Sequence, residues 1–379
     1  MHIRKNGWLE AGLPAMFNIG AFLIMNDFEI KELTYHLLAY SLVWILSDLL
    51  AHLTYTQPRR LKWPIRGIAT VIAAVNYVLL IINGIRGEPA PAALCFGVYS
   101  LVSFLISLGY RQPKLMYGFT SSTSLFAAFL FQVYEMSKWI HPIMILGVLF
   151  YLIGYFLSHT KRMCTWGTPL QYSGLGLGLV VSVAAPVLGG LDAAIPVALA
   201  ATLWAVEAFH RKNAWLGFPA NILYFLAYFI VLFELRVDEM QFFSMGAALL
   251  GLIQHYLLNR SGAKTGAFIT GSVSQLILLG TTYIQMLDTE ELVYFAVLFL
   301  QSIAIMVYGI VIRSRSLTFA PIALVVLGVV TVIYSALRDI STVVLIGCTG
   351  IVLLLLGILA VILRERITRI GERLSSWEA

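Results

Sequence analysis

Asp48 lies inside the apolar run VWILSDLLAHL, and His52 follows it four residues later. On a helix that spacing puts both side chains on one face, one turn apart. Counting to the expected helix end places Asp48 about 12 Å deep along the axis. A carboxylate at membrane depth is costly unless a partner or water reaches it. The pair therefore reads in two ways: as a structural Asp–His hydrogen bond that holds helices together, or as a proton-accepting pair or half of a metal site. A second carboxylate, Glu207, precedes His210 and Arg211. Glu-x-x-His presents two ligands on one helix face, as in di-iron bundles, but such a centre needs several helices of this kind. No second Glu-x-x-His occurs here, and Arg211 at i+4 offers a salt bridge. Glu207 is expected to be an interfacial ion-pair residue. Asn76, deeper in another apolar run, completes the candidate intramembrane polar site of Asp48, His52, Asn76, Glu207 and His210.

The remaining polar residues follow the same ambiguity. His52, His159, His210 and His255, with Tyr110 in the equivalent place, recur once per hairpin. Side chains that reach from helix ends to the interface give that pattern without any metal. Ser121, Ser122, Thr123, Ser124, Asn221, Ser272, Ser274 and Gln275 follow the hairpin tips. Small and hydroxyl residues let helices approach and hydrogen-bond, and they can also line a polar pathway. No G-x-S-x-G, H-E-x-x-H, P-loop or dinucleotide fingerprint is present. No cofactor and no metal is expected, and the chain is not expected to be an enzyme. Cys95, Cys164 and Cys348 are isolated and read as packing residues.

These residues sit in a chain that is 60% hydrophobic and 12% charged, with a net charge of +6. Soluble domains carry about 25% charged residues. No long polar segment exists in which a soluble domain could fold, so one integral membrane domain is expected over 1–379. The fold class is all-α, a polytopic bundle of about fourteen transmembrane helices. The apolar runs are 11–25, 34–56, 65–85, 90–110, 115–136, 140–158, 168–189, 192–210, 213–235, 239–258, 264–286, 291–312, 317–336 and 342–363. Each approaches the ~20 residues that a bilayer core requires. Residues 1–33 form a short first span and an outer loop, 34–363 the hairpin repeats, and 364–379 an amphipathic tail. The tips begin at Arg59, Arg111, Lys161, Arg211, Arg260, Arg313 and Arg364, a step of roughly 50 residues that fits two spans and two short loops.

The charges orient the ladder. The N-terminal tail, the basic tips and the C-terminal tail hold 20 of the 25 Lys and Arg residues. Basic residues in short loops stay cytoplasmic. Both termini are expected inside a bacterial-type inner membrane, with all hairpins in one orientation. Because the positive charge is spread over loop tips rather than gathered in a patch, the lipid bilayer is the expected partner and nucleic acid is not.

The ladder of hairpins ends in STVVLIGCTGIVLLLLGILAVILRERI, a glycine-containing span with a basic tail. In this it resembles the membrane regions of large uncharacterised bacterial proteins, the group classed under domain of unknown function 2157. That resemblance implies no activity. Two functions remain in view: a non-enzymatic subunit or scaffold of a membrane assembly with a membrane or cytoplasmic protein partner, and a transporter or flippase for a hydrophobic or lipid-linked substrate using a polar cavity near Asp48. A polar cavity lined by Asp48, Asn76 and Ser121–Ser124 would favour transport. A filled interior with an apolar exposed groove would favour a scaffold.

The charge division predicts cysteine accessibility. Single cysteines at Gln112 and Asn213 are expected to label only from the cytoplasm, and those at Glu239 and Thr289 only from outside. Labelling of Gln112 and Glu239 from the same side would overturn the hairpin assignment.

Overall fold

A hydrocarbon environment leaves no water for backbone N–H and C=O groups, so a spanning chain must satisfy them within helices. The computed structural model follows that rule. It describes residues 7–54, 62–161, 163–188, 190–289, 292–312 and 314–337. Thirteen α-helices occupy them, with no strand among the described residues. They are α1 (Gly7–Asp27), α2 (Leu33–Thr54), α3 (Lys62–Arg86), α4 (Pro89–Tyr110), α5 (Met116–Val133), α6 (Ile140–Ser158) and α7 (Cys164–Leu188), followed by α8 (Ala194–His210), α9 (Gly217–Glu234), α10 (Met240–Arg260), α11 (Lys264–Thr289), α12 (Leu292–Ile312) and α13 (Arg315–Leu337).

Ten of these helices are long and apolar enough to cross a membrane. The chain is a multi-pass membrane protein. Run length alone suggested fourteen spans, and that number is not reached among the described residues. α5 and α10 have the length, but Thr120–Ser124 in α5 and Gln241, Gln254, His255 and Asn259 in α10 make them more polar than the ten. The run 342–363 and the tail 364–379 lie outside the described residues.

The surface is more apolar than parts of the interior. Phe156, Val187, Phe209 and Phe233 are largely exposed, whereas Ser41, Asn76, Ser107, Ser182 and Thr282 are fully buried. In water such a surface would be an aggregation liability; in a bilayer it is the lipid-facing side.

The chain divides into two compact units, Met1–Val187 and Leu188–Ala379. In the first, α2 packs along α3 and α4 along α5, more extensively than α3 meets α4 across the turn that joins them. In the second, α8 pairs with α9, α10 with α11 and α12 with α13. Several turns between helices are Schellman caps, in which one left-handed residue lets two N–H groups reach back to the last helical carbonyls. Arg111 (φ 53°) and Lys212 (φ 52°) do this at basic tips, and Glu135 (φ 51°) and Arg236 (φ 54°) do it at the opposite ends. After Arg111 comes an extended Gln112 and a 3-10 turn, Pro113–Leu115; after Lys212 come Asn213 and Ala214–Leu216 in the same conformation.

α6 and α7 meet through glycines. A Cβ on Gly154 would lie 2.6 Å from the backbone of Gly167 and Gln171, and one on Gly174 would lie 2.5 Å from the Gly147 carbonyl. With no side chain between them, the two backbones make direct van der Waals contact, which supplies cohesion where lipid removes the hydrophobic drive between helices. Gly176, also in α7, faces open space. Gly154→Ala and Gly174→Ala are expected to destabilise by about 1–3 kcal/mol, and Gly176→Ala to leave thermal unfolding in detergent unchanged. Equal melting temperatures for all three variants would refute the close contact.

Candidate functional site

Three helices of the first unit place their basic-side ends together. Asp48 is six residues before the end of α2, Arg66 is four residues into α3, and Tyr110 is the last residue of α4. At 1.5 Å per residue, Asp48 is about 9 Å and Arg66 about 6 Å from those ends. Gly109 lets α2 approach α4: a Cβ there would lie 2.5 Å from Leu49. That approach brings Tyr110 to the carboxylate.

Asp48 is 2% exposed. Its Oδ2 accepts from Arg66 Nε at 2.8 Å and from the Tyr110 hydroxyl. The Arg66 guanidinium carbon lies 4.4 Å from the Tyr110 ring centroid, so the cation also faces the ring's negative π surface. His52 is exposed and sets its ring edge-on to Tyr110, with centroids 4.8 Å apart. The Asp48 carboxylate thus sits within a charge-neutralising cluster, and His52 joins it through the aromatic ring.

Asn76 belongs to a different cluster. It lies ten residues beyond Arg66 on α3, about 15 Å further along the axis. Fully buried, it donates from Nδ2 to Tyr99 of α4 at 3.0 Å, and Tyr99 also meets Ser41 of α2 at 2.9 Å. Its Oδ1 has no hydrogen-bond partner. Hydroxyl pairs continue across the neighbouring helices: Tyr77 with Ser122, Ser100 with Thr123 at 2.6 Å, and Thr120 with Ser173 at 2.7 Å. The hydroxyl run in α5 is thereby divided among partners on α3, α4 and α7. Asp48 and Asn76, grouped as one candidate cavity in the sequence, are two separate clusters.

In the second unit Glu207 is 1% exposed, and Arg211 Nε donates to its Oε1. His210 is exposed at the end of α8. Among the described residues no three His, Cys, Asp or Glu side chains gather in a way that could hold a metal ion. Gln254 of α10 carries a role the sequence did not suggest. It accepts from Asn221 of α9 at 2.8 Å and donates to the Ala214 carbonyl at 2.8 Å. Gly217 leaves room for it. His255 meets Tyr308 of α12 at 3.3 Å.

A cation from a neighbouring basic tip is the partner expected for a paired Asp48, and Arg66 is that cation; the Tyr110 hydroxyl is the ligand that sequence reasoning missed. One signal marks Arg66 among the tip cations: it stands four residues inside the helix that follows Asp48 across a hairpin, where antiparallel geometry returns it to the same level. No comparable signal marks Tyr110, because its contact depends on how α4 packs on α2. No family model matches the chain, and no curated protein or solved structure matches it either.

Breaking one partner of a buried ion pair leaves an uncompensated charge, at a cost of about 3–5 kcal/mol. Asp48→Asn and Arg66→Gln should each lower thermal stability strongly. The double variant should lose less than the sum, with a coupling of about 0.5–3 kcal/mol. Strict additivity in a double-mutant cycle would show that the two side chains do not act as a pair.

Proposed function

We propose that this protein is a non-enzymatic subunit or scaffold of a membrane assembly, built from repeated hairpins that share one orientation. Its basic tips and both termini lie on the cytoplasmic face of a bacterial-type inner membrane, in keeping with the positive-inside distribution of its Lys and Arg residues. The resemblance to the domain of unknown function 2157 group is part of this reading. The observation that carries it is the neutralisation of Asp48 by Arg66 and Tyr110. A carboxylate that carries a proton or cation through a membrane needs an aqueous path and a reason to change its charge state. Here a guanidinium and a phenol both bind the carboxylate and tie it to two neighbouring helices, and the hydroxyl residues of α5 bridge helices. The large exposed apolar side chains then supply the surface on which membrane partners pack.

A transporter or flippase is the second reading. Asn76 favours it, because its buried Oδ1 leaves one acceptor in the interior for water or a passing polar group.

The two readings differ in proteoliposomes. With the purified protein and an internal pH-sensitive dye, a scaffold gives no proton flux above empty vesicles. In native membranes it migrates, after mild solubilisation, as an assembly larger than its own micelle. A flux that disappears in Asn76→Leu, in a protein that migrates alone, would replace the scaffold with a transporter.

A further inference from the structure

In the second unit α10 and α12 both pack on α11 and leave a cavity of about 460 Å³. Leu249, Ile253 and Tyr256 line it from α10; Gln301, Ala304 and Tyr308 line it from α12. Two polar members of this lining are hydrogen-bonded within the protein. Tyr308 donates to the Leu252 carbonyl at 3.2 Å, and the Gln301 amide oxygen accepts from Thr282 at 2.8 Å. The space is therefore walled mainly by hydrocarbon. Its volume falls within the roughly 300–1,000 Å³ of sites that enclose a small ligand.

Leu249, Ile253, Tyr256 and Arg260 follow one another at steps of four, three and four along α10, so they form one stripe. From Leu249 to Tyr256 the stripe rises about 10 Å, and Arg260 stands one turn beyond. Arg260 is exposed and ends the helix at a basic tip. An apolar slot with a cation one helical turn beyond its end matches a molecule with an anionic head joined to a hydrocarbon chain.

We infer that this groove binds one anionic phospholipid, an acyl chain lying between α10 and α12 and the phosphate on Arg260. The site is independent of the scaffold reading, since a transporter with the same groove would bind the same lipid.

The test uses the full-length protein in neutral detergent, titrated with dioleoyl phosphatidylglycerol or dioleoyl phosphatidylcholine. Native mass spectrometry counts the lipid retained. One phosphatidylglycerol is expected to stay bound where phosphatidylcholine does not. Arg260→Gln should weaken phosphatidylglycerol about fivefold, the loss of one basic residue's attraction to an anionic headgroup. Ala304→Phe, grown from an exposed position into the groove, should abolish retention while leaving the melting temperature unchanged. If that variant does not fold, Leu249→Trp serves the same purpose from the opposite wall. Equal retention of the two lipids would overturn the inference. So would undiminished phosphatidylglycerol binding in the groove-filling variant, or a dimer that the same substitution dissociates.

Discussion

Inside a bilayer a polar side chain has no water to fall back on, so each one must find its partner within the protein. Asp48 finds Arg66 and Tyr110, Asn76 finds Tyr99, and Glu207 finds Arg211. These links join α2 to α3 and α4, α3 to α4, and the end of α8 to its own cap. An unpartnered carboxylate would expel its helix towards the interface or stay protonated. Once paired, it fixes the depth of its helix relative to two neighbours. The polar interior is therefore a set of cross-links with defined registers, whereas the apolar surface carries little positional information.

Cohesion between helices needs a second source, because lipid solvates leucine as well as another helix does. Backbone contact at Gly147, Gly154, Gly167 and Gly174 supplies it for α6 and α7. Elsewhere Gly251 receives the Ser274 side chain and Gly271 receives the His255 ring. Glycine and a polar side chain thus appear together: the missing Cβ makes the space into which a hydrogen-bonding residue folds.

The two compact units use these devices differently. The first concentrates charge and hydroxyl pairs between its helices. The second leaves an apolar groove between α10 and α12, bounded by Tyr256 and Tyr308, with Arg260 one helical turn beyond Tyr256 on α10. That contrast assigns structural work to the polar clusters and recognition of hydrocarbon to the groove. Scaffolding and lipid binding are compatible outcomes of such a surface.

Membrane class and helical secondary structure were legible in the sequence alone. Apolar run length and charge in loops are properties of single segments, readable one at a time. The sequence also singled out Asp48, Asn76 and Glu207, because a polar residue inside an apolar run is conspicuous whatever surrounds it. The Glu207–Arg211 pair was legible too, since both residues lie on one helix at i and i+4. Asp48 was different: its neighbour in sequence, His52, stands on the same face, but the carboxylate is bound by Arg66 and Tyr110, which come from other helices. Nor could run length reveal that Asn76 is about 15 Å from the Asp48 cluster along α3, or that α10 and α12 part over α11. Those facts depend on axial offsets and crossing points between helices, which glycine positions and side-chain pairing set together. Only the tertiary structure decides them, because each requires two or three segments to be placed at once.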